Sequence, residues 1–378
     1  MKVGSVSLIE GDQPELLRAT IEEKVHGGRS ALVLSGDALE MSSMQWDSLA
    51  QIGGNAVFGG VFPQVIYDGR NLERASIVIG LDERPATMLI AGLDDPSISF
   101  DEQLRNAPSE VIDAESLIII VDGLSPRISD FIEAVYDAFG PDKHYIGGGA
   151  GSLSFMPKPC VIGDGRIRKG EAILIALDVK IPVGLQHGWE KIAGPFIVTA
   201  AEKNMVIELD YAPAYDVYKE AIWLSSGVEL TRESFFEIAK GFPFGIERVD
   251  GSVLVRDPVT VLDNRLVCVG ELPMNSVVYL LEGTADNLLA AATEGARTVL
   301  RAKELRRVPV MPFLIDCISR VLFLGDEFTR ELDAVRRAQR SGGQPIVGVL
   351  TLGEIANNGS HALEFHNKTF VLTGIRAA

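Results

Sequence analysis

Short apolar runs of strand length alternate along the whole chain with amphipathic helical patterns. Early examples are the strand-like runs 75–81, 87–91 and 117–121, which precede an amphipathic helix predicted over 129–139. Strands that alternate with helices pack as layers, because each element buries its apolar face against another. The runs 160–162 and 172–177, and then 195–201 and 205–209, are typical of paired antiparallel strands. The sequence therefore predicts an α/β (α+β mixed) protein with mixed, largely antiparallel sheets flanked by helices.

The length of the chain, 378 residues, is long for a single hydrophobic core and predicts two domains. A helix predicted over 214–224 is followed by the break Ser225-Ser226-Gly227, where we place the boundary between domains 1–224 and 225–378. The second half repeats the alternation of strands and helices. Its longest helix is predicted from Thr284, which has the side chain of an N-cap, to about Lys303.

The formal net charge of -17 bears on the partners that the surface attracts. Nucleic acid and anionic membrane surfaces both select for clustered Lys and Arg, so we expect neither as a partner. The most basic run, 301–307, follows a predicted helix, whose negative dipole end it complements.

The three cysteines, Cys160, Cys268 and Cys317, are far apart and form no CxxC pair. We expect reduced thiols, with Cys160 and Cys317 mostly buried, and no zinc site. His361 and His366 are five residues apart, which places them on different faces of a helix or strand, so no metal is assigned, and no cofactor fingerprint is present. The N-terminus lacks the apolar core of a signal peptide, and no apolar stretch has the length of a membrane span, which predicts a cytoplasmic protein.

Two motifs of the first half offer secondary candidates for ligand binding. Gly148 and Gly149 belong to the glycine cluster 147–151, whose backbone N–H groups form either an anion nest or a closely packed strand. His187 and Trp189 follow a predicted strand, where they either order a ligand or act as structural residues.

The main candidates lie at strand ends of the second half: Arg320, Glu354, His366, Asn367 and Cys317. Ligands of α/β proteins gather at such ends. A guanidinium and a carboxylate there either receive a zwitterionic ligand or form an internal salt bridge, and both interpretations stay open. Either one requires Arg320 and Glu354 to lie within about 10 Å of each other.

Several of these motifs, in this order, resemble the FIST family. The N-terminal FIST domain is similar to the segments 146–153, 184–189, 198–202 and 206–210, followed by Pro213-Ala214. The FIST C-terminal domain is similar to Cys317-x-x-Arg320, to 348–355 and to His366-Asn367-x-Thr369. The chain departs from the family pattern at Lys203 and Tyr211, which stand where glycine is expected in two turns. The resemblance implies a stand-alone intracellular sensory protein that recognises a small ligand such as an amino acid.

The function predicted from these observations is signal transduction through a small-molecule ligand, either an amino acid or a small carboxylate. The resemblance also allows a signalling output protein as a partner, and a homo-oligomer is left open. Two alternatives remain: an enzyme with Cys317 as nucleophile assisted by His366 or His187, or an adaptor that presents an apolar protein-binding face. Because no catalytic motif is recognised, we expect no enzyme.

Overall fold

The computed structural model describes residues 2–249, 251–305, 308–339, 343–357 and 362–377. His361, and with it the spacing argument for a metal site, lies outside the described residues, as do Arg306 and Arg307 of the basic run. None of the helices in the described ranges is long and apolar enough to cross a membrane.

The strands follow one another along the chain, with helices inserted between them. In chain order they are β1 (Val3–Glu10), β2 (Ser30–Gly36), β3 (Val57–Phe62), β4 (Gln64–Tyr67), β5 (Arg70–Leu72), β6 (Ala75–Leu81), β7 (Thr87–Ala91), β8 (Ser116–Asp122), β9 (His144–Ala150), β10 (Val161–Gly163), β11 (Arg166–Arg168), β12 (Glu171–Leu177), β13 (Val183–Gln186), β14 (Glu190–Glu202), β15 (Met205–Leu209), β16 (Ala212–Pro213), β17 (Phe244–Glu247), β18 (Val253–Leu262), β19 (Arg265–Val269), β20 (Val277–Glu282), β21 (Val310–Cys317), β22 (Val347–Thr351), β23 (Glu354–Ala356), β24 (Glu364–His366) and β25 (Phe370–Arg376).

The helices in the described ranges are α1 (Pro14–Val25), α2 (Ser43–Ala50), α3 (Ile52–Asn55), α4 (Phe100–Arg105), α5 (Ser109–Ile112), α6 (Ile128–Phe139), α7 (Ala214–Ser226), α8 (Phe235–Ala239), α9 (Ala285–Leu300), α10 (Ile318–Leu324) and α11 (Phe328–Ala338). Of these, α6, α7 and α9 lie within about three residues of the predicted bounds. Helix α9 confirms the cap predicted at Thr284, whose side chain accepts a hydrogen bond from the Asn287 backbone N–H.

Three open sheets and a barrel contain these strands. Sheet I has the order β1-β6-β2-β3-β10-β11, sheet II the order β24-β23-β9-β8-β12-β7, and sheet III the order β13-β25-β21-β22-β4-β5. Only the pairs β2–β3, β8–β9 and β21–β22 run parallel in the described ranges. The predicted class, mixed and largely antiparallel sheets flanked by helices, is confirmed.

The fourth sheet closes on itself as an antiparallel barrel. Strand β14 pairs with β20 on one side and with β15 on the other, which joins the two ends of the order β14-β20-β17-β18-β19-β15. Closure leaves no free sheet edge between these strands. Apolar side chains from the barrel and from α7 and α8 fill one core, which includes Val198, Tyr218 and Leu266.

Successive side chains of a buried strand point to opposite faces of the sheet and pack into two different apolar cores. In β8, Ile118 and Ile120 contribute to a core shared by sheets I, II and III, whereas Leu117, Ile119 and Val121 pack against α4 and α6. A strand covered on both faces is a continuous apolar run, as seen in this sequence. Sheet III is covered in the same way by α9 and α11.

The predicted boundary between residues 224 and 225 stays a prediction. Sheets II and III each combine strands from both sides of it: β23 and β24 complete sheet II, and β4 and β13 belong to sheet III. The pairing predicted between 160–162 and 172–177 requires a correction. Strand β10 instead pairs with β11 and β3 in sheet I, while β12 pairs with β7 and β8 in sheet II.

Lys203 and Tyr211 adopt the backbone conformation that glycine favours. Their φ angles are 52° and 65°, in the left-handed region. The turns on either side of β15 therefore keep this geometry although neither residue is glycine.

Candidate functional site

A cavity of about 350 Å³ opens between the barrel and the carboxyl ends of β8, β21 and β22. The residues that directly follow these strands, Gly123, Ile318 and Leu352, line it. We call it the Asn367 cavity. Its other lining residues are Leu124, Ser125, Pro126, Ile128, Ser129, Phe155, Lys203, Asn204, Phe236, Asp257, Val259, Val267, Cys268, Val269, Gly270, Glu271, Cys317, Ser319, Leu322, Gly353, Phe365 and Asn367. Strand ends of this kind are where α/β proteins bind ligands.

Several polar atoms of this cavity are buried and lack a well-directed hydrogen bond among the described residues. Asn367 is 2% exposed, and both its Oδ1 and its Nδ2 are unsatisfied. The Ser125 Oγ is also unsatisfied, whereas the Asp257 carboxylate contacts Lys368 and Ser319. Leaving such groups unpaired costs about 1–3 kcal/mol each, so water or a polar ligand gains hydrogen bonds at these atoms.

Strand alternation directs Asn367 into this cavity. Phe365 and Asn367 line the Asn367 cavity, whereas Glu364 and His366 line a separate cavity on the other side of the strand. The turn that follows β24 is held by a hydrogen bond from the Thr369 hydroxyl to the Asn367 carbonyl, 2.7 Å long.

Asp257 lies on β18 opposite the buried ammonium of Lys368. The Lys368 Nζ is 3.1 Å from the Asp257 Oδ2, but not in a direction that satisfies a hydrogen bond, so the contact is an ion pair. The same ammonium donates to the carbonyl of Lys240 over 3.0 Å. Burial raises the pKa of Asp257, and Lys368 partly opposes this shift. A second cation, supplied by a ligand, would stabilise the carboxylate further.

Glu354 supports the turn that carries Asn367 without itself lining the cavity. Its carboxyl accepts hydrogen bonds from the Thr351 hydroxyl, over 2.8 Å, and from the Thr369 backbone N–H, over 3.2 Å. Burial raises the pKa of Glu354 to about 8, against the lowering effect of these hydrogen bonds. Glu354 therefore joins β22 to the segment after β24.

Cys317 lines the cavity, and all three cysteines are buried, as predicted for Cys160 and Cys317. Burial and the charge of Glu354 raise the pKa of the Cys317 thiol well above its ordinary value. The thiolate is the reactive form, so this environment disfavours a nucleophile. His187 and His366, the bases considered for an enzyme, both line the other cavity. That the chain is not an enzyme stays a prediction.

The expectation that Arg320 pairs with Glu354 requires a correction, because the partners of Arg320 are Glu331 and Asp316. The Arg320 side chain is fully buried and binds Glu331 through two nitrogens, while its Nε lies 3.3 Å from the Asp316 Oδ1. The guanidinium also donates to the carbonyls of His187, over 2.7 Å, and of Lys368, over 3.2 Å. Arg320 lines neither cavity, because its donors all point to protein acceptors. Its charge is nevertheless close enough to lower the pKa of Glu354.

The glycine cluster forms the buried strand β9. A Cβ at Gly148 would lie 2.7 Å from the Thr351 Cγ2, and one at Gly149 would lie 2.8 Å from the Gly123 Cα. The Gly149 backbone N–H donates to the carbonyl of Gly353 over 2.8 Å. Of the two interpretations, the structure therefore has close backbone packing, and these glycines are not an anion nest.

His187 and His366 line the second cavity, which measures about 690 Å³ and which we call the histidine cavity. It is also lined by Leu185, Gln186, Arg248, Val249, Gly251, Ser252, Val253, Leu254, Ala362, Glu364 and Thr369. Trp189 is buried beneath it, and its indole N–H donates to the carbonyl of Lys368 over 3.1 Å. The five main candidates are thus divided: Cys317 and Asn367 lie on one cavity, His366 on the other, and Arg320 and Glu354 on neither.

Sequence reasoning missed Asp257 and Ser125. A signal for Asp257 was present, since Arg256 and Asp257 interrupt an otherwise apolar strand, and charges in a buried strand need partners. Nothing in the sequence around Ser125 distinguishes it from an ordinary turn serine.

We expect the histidines to make the fold sensitive to acid. Burial and the charge of Arg320 lower the pKa of His187 to about 4, below the ordinary value of 6.5. Between about pH 6.5 and pH 4 the unfolded chain binds a proton at this histidine that the folded chain does not bind. The free energy of unfolding is therefore undiminished above about pH 6.5 and decreases as the pH falls toward 4.

Urea unfolding between about pH 7 and pH 5 tests this sign. The free energy of unfolding should fall less steeply in His187→Gln than in the wild type. His26→Gln, which changes an exposed histidine, is the control and should follow the wild type. Equal slopes for His187→Gln and the wild type would contradict the expectation.

Two family models match the chain. A FIST N domain matches residues 31–212 and a FIST C domain matches residues 214–357. A comparison with curated proteins gave no match. FIST domains are associated with sensory and signal-transduction roles. The chain therefore belongs to the FIST family, with the N-terminal domain followed by the C-terminal domain, as its motifs predicted.

Proposed function

We propose that this FIST chain is a sensory protein that binds an amino acid, or a small carboxylate bearing an amine, in the Asn367 cavity. The observation that carries the proposal is the unpartnered Asn367 amide and Ser125 hydroxyl, which line the same cavity as the Asp257 carboxylate with its ion pair to Lys368. The Asn367 cavity has a volume of about 350 Å³, at the small end of the range for ligand pockets, which suits a ligand of the size of an amino acid.

The chemistry of the three side chains complements a zwitterion. Asp257 and the Asn367 Oδ1 accept hydrogen bonds, which an ammonium group donates. The Asn367 Nδ2 and the Ser125 hydroxyl donate hydrogen bonds, which a carboxylate accepts. Apolar walls that include Phe236, Val259 and Leu322 leave room for an aliphatic or aromatic side chain. Asp257 thus takes the role that the sequence pattern suggested for Glu354.

The position of the cavity supports a sensory role. Ser125 and Asn204 lie within the matched FIST N domain, and Asp257 and Cys317 lie within the matched FIST C domain. A ligand that contacts both domains stabilises the arrangement in which they surround it. Binding would then change the population of that arrangement, which is what a downstream partner detects.

A thermal-shift screen tests the proposal. The panel contains the amino acids, the N-acetyl derivative of each and the corresponding amine without the carboxylate. A compound that binds only the folded chain adds about 2.7 kcal/mol to stability at 100 times its dissociation constant. We expect at least one amino acid to raise the melting temperature, and its N-acetyl derivative to have no effect because acetylation removes the ammonium charge. An N-acetyl derivative that binds as well as its parent, or a panel without any stabilising amine, would contradict the proposal.

A further inference from the structure

The histidine cavity is a second, solvent-open cavity with its own lining. None of its lining residues also lines the Asn367 cavity. Leu185, Val253 and Leu254 supply apolar walls, and Arg248 forms an ion pair with Glu364 beside them. A volume of about 690 Å³ accommodates a ligand considerably larger than water.

The hydrogen bonds of His187 fix which of its nitrogens carries the proton. Its Nδ1 accepts from the Trp189 backbone N–H over 2.9 Å. A nitrogen that accepts cannot hold the proton of a neutral ring, so the proton is on Nε2. The Nε2–H has no hydrogen bond to the described residues and is available as a donor.

His366 has the complementary arrangement. Its Nε2 lies 3.2 Å from the carbonyl oxygen of Ala356, which only accepts, so the Nε2 carries the proton. The Nδ1 then holds a lone pair and has no hydrogen bond to the described residues. His366 therefore offers an acceptor where His187 offers a donor.

Both rings stay neutral at physiological pH. Burial, together with the nearby charges of Arg256 and Arg248, lowers the pKa of His366 to about 3. The pKa of His187 is lowered to about 4. Protonation would turn the acceptor of His366 into a donor, so neutrality preserves the donor and acceptor pair.

We propose that the histidine cavity binds a neutral ligand with a carboxamide-type edge, whose carbonyl accepts from the His187 Nε2–H and whose N–H donates to the His366 Nδ1. This site is independent of the proposed amino acid site. A carboxylate offers only acceptors and an amidinium only donors, so each leaves one ring nitrogen unpaired.

Three isosteric probes, benzamide, benzoate and benzamidine, test this inference on the whole chain. The sequence contains five histidines, so nitrogen-15 NMR of the imidazole rings can be assigned by single substitutions. Benzamide should shift the resonances of the His187 Nε2 and the His366 Nδ1. Its affinity should exceed that of benzoate and of benzamidine by about tenfold, the effect of one lost hydrogen bond.

Two variants locate the bound probe. His187→Phe should lower the affinity for benzamide about tenfold, because the Nε2–H donor of His187 is lost. Asn367→Ala, which changes the other cavity, should bind benzamide as the wild type does. The wild-type spectra remain decisive if His187→Phe fails to fold. Equal affinity for the three probes, unchanged resonances of both rings, or weaker benzamide binding in Asn367→Ala would overturn the inference.

Discussion

Arg320→Met is expected to lower the free energy of unfolding by about 3–5 kcal/mol, because it leaves two buried carboxyl groups without their cation. Glu331 and Asp316 are both fully buried, and Arg320 is the partner of each. The substitution also removes donors from the carbonyls of His187, Lys368 and Leu288, which belong to three different segments. Methionine approximates the volume of the arginine stem, so the loss reports on charge and hydrogen bonding more than on a cavity.

The control for this prediction is Arg330→Met on α11. Arg330 forms ion pairs with Glu327 and Asp286, but its side chain is 52% exposed, so we expect a loss below about 1 kcal/mol. Urea unfolding followed by circular dichroism measures both variants. A loss in Arg320→Met no larger than that in Arg330→Met would show that the buried network does not hold these segments together.

The second prediction compares two buried asparagines that differ in hydrogen bonding. Asn357 accepts from the Tyr145 backbone N–H and donates to the Lys143 carbonyl, each over 3.0 Å. Asn357→Ala should therefore lower the free energy of unfolding by about 1–3 kcal/mol. Asn367 has no such bonds to lose, so Asn367→Ala should change stability by less than about 1 kcal/mol.

Ligand binding should show the opposite ranking. Asn367→Ala should lower the affinity for the amino acid found in the thermal-shift screen by about tenfold or more, since a hydrogen bond to a charged group contributes about 1.5–3 kcal/mol. Asn357→Ala should bind it with wild-type affinity. Isothermal titration calorimetry on the two variants gives the comparison. Wild-type affinity in Asn367→Ala, or a stability loss as large as that of Asn357→Ala, would assign Asn367 a structural role.

Local signals predicted much of the fold. Strands β6 and β7 lie at the predicted residues, because periodicity and flanking turn residues act within a few positions. The partner of β12 was missed, since strand pairing joins residues far apart in sequence and buried apolar runs fit several neighbours equally well.

The candidate site was predicted in part for the same reason. Strand ends indicated Cys317 and Asn367, which line one cavity, and their role in ligand binding stays a prediction. The partner of Arg320 was misjudged because Glu331 reaches it from α11, through helix packing that spacing alone does not reveal. His366 was grouped with Asn367, although neighbouring residues of an extended segment point to opposite sides.

A crystal structure of the chain with the amino acid from the screen tests the central claim most directly. We predict that the ligand occupies the Asn367 cavity, with its ammonium within about 3 Å of the Asp257 carboxylate and its polar atoms paired with the Asn367 amide. A bound ligand elsewhere on the chain, with the Asn367 amide still without a hydrogen-bond partner, would contradict the account.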